Sequence, residues 1–304
     1  MTPLTIALTG GSGFIGGQIA RMLVARGAHV RALSRTQAGL ENGILWIKGT
    51  LEDEDSLARL VEGARIVIHC AGAVRGRSAR SFQIANVQGS RRVAQAACNS
   101  GTCERFLLMS SLAARHPELS WYAKSKHDAE QEVLRVAGTM GITIFRPTAV
   151  YGPGDRELRP LFTWLLKGLL VRLGARDSHL SFVHVFDLVA AVAHWLGSPI
   201  TKSAIYEISD GTLGGYSWKG LAKIAADIRA APVRSLAIST TVLRTIACAN
   251  FAISYMVRRA PMLTTSKVNE LTHPDWTCSN TAITVATGWI PQIKLRRALQ
   301  EGLF

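Results

Sequence analysis

No uninterrupted apolar run approaches the roughly eighteen residues that a membrane-spanning helix needs, so no transmembrane anchor is expected. Cysteine is sparse: Cys70, Cys98, Cys103, Cys248 and Cys278 are odd in number, scattered and without CxxC spacing. That pattern argues against a disulfide framework or a zinc site, so no metal is expected, and it fits a reducing compartment. The opening MTPLTIALTGG has neither the basic start nor the small-residue cleavage site of a secretory signal, which makes a cytoplasmic location the expectation. Charged residues are only 18% of the chain against 48% hydrophobic, which excludes a disordered polypeptide. Acids are outnumbered, 21 to 35, leaving a formal charge of +14. Such a balance invites nucleic acid. The basic residues form no run with interleaved aromatics, however, and no helix-turn-helix or RNA-binding signature is present. Nucleic acid is therefore not an expected partner. The surplus is uneven, with 11 basic against 4 acidic residues after position 210.

At 304 residues the chain has room for one large or two small α/β units. Strands are expected at Leu4–Leu8, His29–Leu33, Leu45–Lys48, Arg65–Cys70, Arg105–Met109 and Thr143–Arg146. Between them, Gly13–Arg26, Asp53–Glu62, Ser81–Ser100 and Trp121–Ala137 carry apolar residues at helical spacing. Apolar strands without alternation, such as Ile66–Ile68, suit a parallel sheet covered on both faces. The pattern predicts a doubly wound parallel sheet over residues 1–150, followed by a smaller mixed α/β cap over 151–304 that binds substrate. Residues 180–208 are expected to return a strand and a helix to the core. Within the cap, Leu243–Val257 contains the nearly uncharged TIACANFAISYMV (Thr245–Val257), set between Arg244 and Arg258-Arg259. It reads first as a buried helix and second as a helix touching lipid.

Gly10, Gly13 and Gly16 stand at TGxxGxxG spacing between the first strand and the first helix. The first glycine permits the turn, the second admits a pyrophosphate near the backbone, and the third allows close helix–strand contact. This is the dinucleotide fingerprint of a Rossmann domain. An NAD-binding chain places an acid at the end of its second strand, but here the sequence reads Leu33-Ser34-Arg35. Ser34 and Arg35 can hold a 2′-phosphate, so NADP(H) is favoured over NAD(H).

Tyr122 and Lys126 lie four apart on one helix face, and Ser110-Ser111 ends the fifth strand where open α/β sheets bind ligands. A neighbouring ammonium favours the phenolate, bringing Tyr122 towards acid–base use. A hydroxyl at the strand end can polarise a substrate carbonyl.

With these residues in place, the sequence resembles the extended branch of the short-chain dehydrogenase/reductase superfamily, the NAD-dependent epimerase/dehydratase and 3β-hydroxysteroid dehydrogenase-like proteins. The matches are TGGSGFIG (Thr9–Gly16), HCAG (His69–Gly72), Asn86–Gly89, Ser110-Ser111, Tyr122 with Lys126, RPTAVYGP (Arg146–Pro153), FVHV (Phe182–Val185) with Asp187-Leu188, and GWIP (Gly288–Pro291). The resemblance implies that Gly10, Gly13, Phe14, Ile15 and Gly16 line the pyrophosphate. It places Leu51, Ala71 and Gly72 beside the adenosine and Pro147 with Val150 beside the nicotinamide. Ser111 is implied as the catalytic serine, Tyr122 as the acid/base, and Lys126 as the group that holds the nicotinamide ribose and lowers the tyrosine pKa. Dimerisation through the helices near 81–100 and 121–137 is implied too. The chain departs from the pattern in its short Ser111–Tyr122 loop, in Gly49-Thr50-Leu51 where an acid is usual, and in Phe186 before Asp187.

Among other polar residues, His69, His184 and His194 read as satisfied core histidines and Asp187 as a helix cap. Arg75, Arg77 and Arg80 near the substrate entrance, with Arg91 and Arg92 on the next helix, read first as a solvated basic face and second as a site for an anionic headgroup, phosphate or acyl carrier. His116 and Glu118 lie between Ser111 and Tyr122, where nothing in the sequence compels them to flank the substrate mouth. The expected activity is NADP(H)-dependent interconversion of a ketone and a secondary alcohol on an apolar or anionic lipid-like substrate, such as a keto-sphingolipid or steroid-like molecule. Peripheral membrane contact and a homodimer accompany that reading. The alternatives are a nucleotide-sugar epimerase/dehydratase with tightly held NAD, and a non-catalytic nucleotide-binding subunit.

Overall fold

The computed structural model describes residues 4–200, 202–256 and 263–304. Strand β1 (Thr5–Thr9) leads through the glycine loop into α1 (Phe14–Ala25), followed by β2 (His29–Ser34), β3 (Gly39–Glu41), β4 (Ile44–Lys48) and α2 (Glu54–Val61). After β5 (Ile66–His69) come α3 (Ala79–Phe82), α4 (Gly89–Asn99), β6 (Arg105–Met109), α5 (Trp121–Val136) and β7 (Gly141–Pro147). The remainder comprises β8 (Ala149–Tyr151), α6 (Arg159–Leu166), β9 (Leu169–Leu173), β10 (His179–Leu180), β11 (Phe182–His184), α7 (Val185–Gly197) and β12 (Ala204–Ile208). It ends with β13 (Tyr216–Ser217), α8 (Trp218–Arg229), β14 (Arg234–Ile238), α9 (Thr240–Met256), α10 (Thr265–Thr272), α11 (Thr281–Thr287) and α12 (Leu295–Gln300).

Eight strands form the main sheet in the order β12-β7-β6-β5-β1-β2-β4-β3, parallel except for the β3–β4 pair. From β1 the chain winds outward through β2 and β4, then returns to the other side of β1 through β5, β6, β7 and β12. The reversal falls between β1 and β5, and the carboxyl ends of those strands flank the crevice where such sheets take their ligands. β12 returns to the main sheet, while α7 packs Leu188, Val192 and Trp195 into the same core as Ile19 and Leu23 of α1. Leu57, Leu60, Val93, Ala97 and Val133 cover the other face from α2, α4 and α5. A separate core under the cap joins Tyr151, Phe162, Phe182, Trp218 and Leu299.

Four local expectations are corrected. The helix expected over Ser81–Ser100 is interrupted by a wide π-helical turn at Gln83–Gln88. There the Asn86 amide is tied to the Ala73 backbone and to Ser125, interactions that compete with regular helix geometry. At the start of the 180–208 stretch, the extended segment divides at Ser181, because β10 pairs antiparallel with β13 while β11 pairs parallel with β8. β3 was not expected. It is joined to β4 by Asn42-Gly43, both at positive φ (49° and 76°), the geometry of a tight hairpin turn. Finally, α9 is not buried along its described side chains. Leu243 and Ala247 are covered, but Val242 is 50% and Ile246 47% exposed. Val257, Arg258 and Arg259 lie outside the described residues. Among the described residues no helix is long and apolar enough to cross a membrane.

Candidate active site

The glycine loop is tight enough to explain its composition. Gly10 has φ +73°, and a Cβ there would lie 2.7 Å from the Ala71 nitrogen. A Cβ on Gly16 would collide with the Gly10 carbonyl oxygen, the same oxygen that accepts from the Gly13 N–H at 2.9 Å. Gly13 caps α1 without a side-chain hydrogen bond, so the first turn, beginning at Phe14 and Ile15, directs backbone N–H groups towards the crevice. Ala71 and Gly72 face this loop from the end of β5. A cradle that side chains would fill, lined by backbone donors, fits a dinucleotide pyrophosphate.

Ser34 ends β2 beside the loop and is buried, its Oγ accepting from the Thr36 and Gln37 N–H groups at 3.3 and 3.1 Å. Arg35 is exposed immediately after it. Leu51 is half-buried and packs against Gly89. Pro147 closes β7, Val150 lies on β8, and between them the buried Thr148 hydroxyl has no partner among the described residues. Behind β5, His69 is held between Thr9 (2.6 Å) and Ser90 (2.9 Å), and burial pushes its pKa down to about 3. It is a satisfied core histidine. His184 is also buried and bonds the Leu303 carbonyl at 2.9 Å, whereas His194 is exposed, correcting its core assignment.

α5 brings the chemical residues together. Ser120 caps it by accepting from the Ala123 N–H at 2.9 Å, which places Tyr122 in the first turn and Lys126 one turn later. Ser111, not Ser110, acts on the Tyr122 phenol, lowering its pKa. Ser110 donates instead to Glu130, whose carboxylate also takes two bonds from Arg146 at 3.0 and 2.5 Å. Lys126 is buried and donates to the Met109 carbonyl at 2.7 Å. Burial lowers its pKa to about 8, opposed by Glu130 and Cys70. Burial raises the Tyr122 phenol to about 12; Ser111 moderates that rise and Glu270 adds to it. The expectation that Lys126 lowers the phenol pKa is not met in this geometry, because the ammonium is directed to the strand-end carbonyl.

Several residues at the site carried no sequence signal of their role. Asn86, seen only as part of the Asn86–Gly89 match, fastens the loop after β5 by bonding the Ala73 N–H (2.6 Å) and carbonyl (3.0 Å). It also donates to Ser125, which in turn donates to the Tyr122 carbonyl, both at 2.8 Å. Lys267 and Glu270 come from α10. The Lys267 ammonium lies 5.1 Å from the Tyr122 ring centre and 2.5 Å from Glu270, and Glu270 accepts from Ser120. An i,i+3 Lys–Glu pair far along the chain reads as an ordinary helix surface; only the fold reveals its place.

Ser120, Tyr122, Lys267 and Glu270 border a narrow cleft, with Val74 and Phe82 on its apolar side and Arg75 at its edge. Arg75 does reach the entrance. Arg91 pairs instead with Glu132 on the far side of α5 at 3.6 Å. His116 packs on His273 and Trp276, with ring centres 4.5 and 5.8 Å apart, and belongs to the cap contact rather than to the cleft. Asp187 does not cap α7, a place His184 takes; it accepts from the Gln292 and Ile293 N–H groups at 3.0 and 2.8 Å and so fastens the C-terminal segment.

The model of the NAD dependent epimerase/dehydratase family matches residues 6–209. A ceramide reductase of Caulobacter vibrioides is 33% identical over 281 residues, covering 90% of this chain and 86% of that protein. A UDP-glucose 4-epimerase of Vibrio cholerae is 24% identical over 235 residues, covering 69% and 71%. In fold, the chain is similar to the Bacillus cereus UDP-glucuronic acid 4-epimerase solved with UDP-glucuronic acid and NAD. The TM-score is 0.74 at 16% identity, over 98% of this chain and 97% of that one.

Proposed function

The chain belongs to the NAD-dependent epimerase/dehydratase family and is an NAD(P)-dependent enzyme of the short-chain dehydrogenase/reductase type, and on that basis we propose that it reduces a ketone to a secondary alcohol on an apolar, lipid-like substrate. The observation that carries the reading is the Tyr122 phenol, with Ser111 lowering its pKa, at a cleft walled by Val74 and Phe82 and beside a cradle for a dinucleotide. The likeness to a ceramide reductase supports the substrate class. A bound nicotinamide cofactor supplies the hydride. Ser111 holds the carbonyl oxygen, and Tyr122 gives that oxygen the proton that completes the alcohol. In this reading Lys126, which donates to the Met109 carbonyl at the end of β6, holds the nicotinamide ribose. Purified protein is expected to consume NADPH in proportion to a long-chain keto-amide. Turnover of a nucleotide sugar on co-purifying NAD, without net NADPH loss, supports the epimerase reading instead. Retained nucleotide without any turnover supports a binding subunit.

We assign NADP(H) preference to Ser34 and Arg35, because the turn after β2 presents an exposed guanidinium and no carboxylate. One charge-assisted contact to the 2′-phosphate is worth roughly 1.5–3 kcal/mol, so Arg35→Ala is expected to weaken NADPH by about ten- to a hundredfold and leave NADH nearly unchanged. Thermal-shift titration measures both, and equal losses for the two cofactors reject the assignment. A lipid substrate also gives a use to the exposed Val242 and Ile246 of α9 beside Arg244: peripheral contact with an anionic bilayer, the second reading of that segment. Vesicle sedimentation tests it, and protein left entirely in the supernatant counts against it. A homodimer through α4 and α5, implied by the family, is settled by light scattering.

A further inference from the structure

Among the described residues, both cations lining the cleft, Arg75 and Lys267, are paired with a carboxylate of the same chain. The Arg75 guanidinium lies 2.6 Å from Glu157, and the Lys267 ammonium 2.5 Å from Glu270. Glu270 is buried and is also the acceptor of the Ser120 hydroxyl, so its carboxylate is fixed and cannot swing away from an incoming anion. The remaining polar lining is uncharged: the hydroxyls of Ser120, Thr264, Ser266 and Tyr122. We propose that this cleft selects an uncharged substrate end bearing hydroxyl or amide groups, and that the Lys267–Glu270 and Arg75–Glu157 pairs exclude both anionic and cationic forms of the same lipid.

The physical basis is specificity through repulsion. A phosphate reaching Lys267 meets the Glu270 carboxylate at the same place, and must compete with a contact the ammonium already has. A free amine meets two cations. A neutral hydroxyl or amide can bond to the cleft hydroxyls without displacing either pair, and leaves no buried charge unpaired. The inference deepens the ketone-reductase reading and rests on it for the kind of ligand, but its test is binding rather than turnover.

Calorimetry of the intact protein saturated with NADP⁺ would compare three probes: a long-chain N-acyl amino alcohol, its phosphate ester, and the corresponding free amine. The uncharged compound is expected to bind at least about tenfold more tightly than either charged one. Glu270→Gln keeps an acceptor for Ser120 while freeing Lys267, and should strengthen the phosphate ester by about tenfold with little change for the uncharged probe. Glu157→Gln, at an exposed position, should move the phosphate ester the same way through Arg75 and serves if the first variant does not fold. Equal or tighter binding of the phosphate ester to the unaltered protein, unchanged phosphate affinity in both variants, or no binding of any probe overturns the proposal. Selective binding of the uncharged probe, with no NADPH-dependent reduction of the corresponding ketone in a separate assay, leaves this selectivity standing and removes the ketone-reductase reading.

Discussion

Tyr122→Phe is expected to lower ketone reduction by about a hundredfold or more while leaving the fold and cofactor binding in place. The substitution deletes one hydroxyl and keeps the ring that packs edge-on against Phe82, with centroids 6.2 Å apart. What disappears is the proton donor that Ser111 assists. Because burial holds the phenol up at about 12, Tyr122 stays protonated throughout the neutral range, which suits a donor in the reductive direction. Lys126, lowered to about 8, is the group that changes charge near working pH. Its charged form prevails below that value. Reduction should therefore hold level below pH 8 and decline as pH rises through it. Steady-state rates between pH 6 and about 10, compared with the Tyr122→Phe variant, provide the check. A variant retaining most of the turnover removes Tyr122 from the chemistry.

Glu130→Ala is expected to be among the most destabilising single changes in the dinucleotide-binding half. Glu130 is fully buried and receives the Ser110 hydroxyl and both bonds from Arg146. Truncation strands a guanidinium whose side chain is 14% exposed, and breaking one side of such a buried pair costs roughly 3–5 kcal/mol. The damage falls at the carboxyl ends of β6 and β7, on the strands that end at Ser111 and Pro147. Urea unfolding should show a clear drop in midpoint with little change in slope, and activity should fall even where the variant remains folded. Glu130→Gln, which keeps hydrogen-bonding capacity, should lose less. Equal stability of the alanine variant and the unaltered protein would show that the pair is dispensable.

The dinucleotide-binding half was legible because its signals are local. The TGxxGxxG spacing needs only one strand, one turn and one helix, and the apolar runs of β1, β5 and β6 declare strands buried on both faces. Asn42-Gly43 was an equally local hairpin signal, overlooked beside the larger pattern. The resemblance singled out Ser111 rather than Ser110, and the two hydroxyls have different surroundings: Ser110 donates to Glu130, while Ser111 lowers the pKa of the Tyr122 phenol. What could not be read was the cap's contribution. Thr264, Ser266, Lys267 and Glu270 have no motif, and their meaning depends on where α10 docks. The same limit applies to α9, whose apolar composition suggested burial, while its short contact with Val268 leaves Val242 and Ile246 exposed. The basic surplus likewise looked like an invitation to an anion. At the cleft, intramolecular carboxylates answer it.

The hydrogen bond between Ser120 and Glu270 spans 150 residues of sequence. A chain emerging from the ribosome can close the β1–β5 crevice and shape its nucleotide cradle while the residues that finish the wall beside Tyr122 are still unmade. Joining the two is a long-range closure, paid late in folding. During synthesis, the nucleotide cradle can therefore form before the wall of the neighbouring cleft is complete.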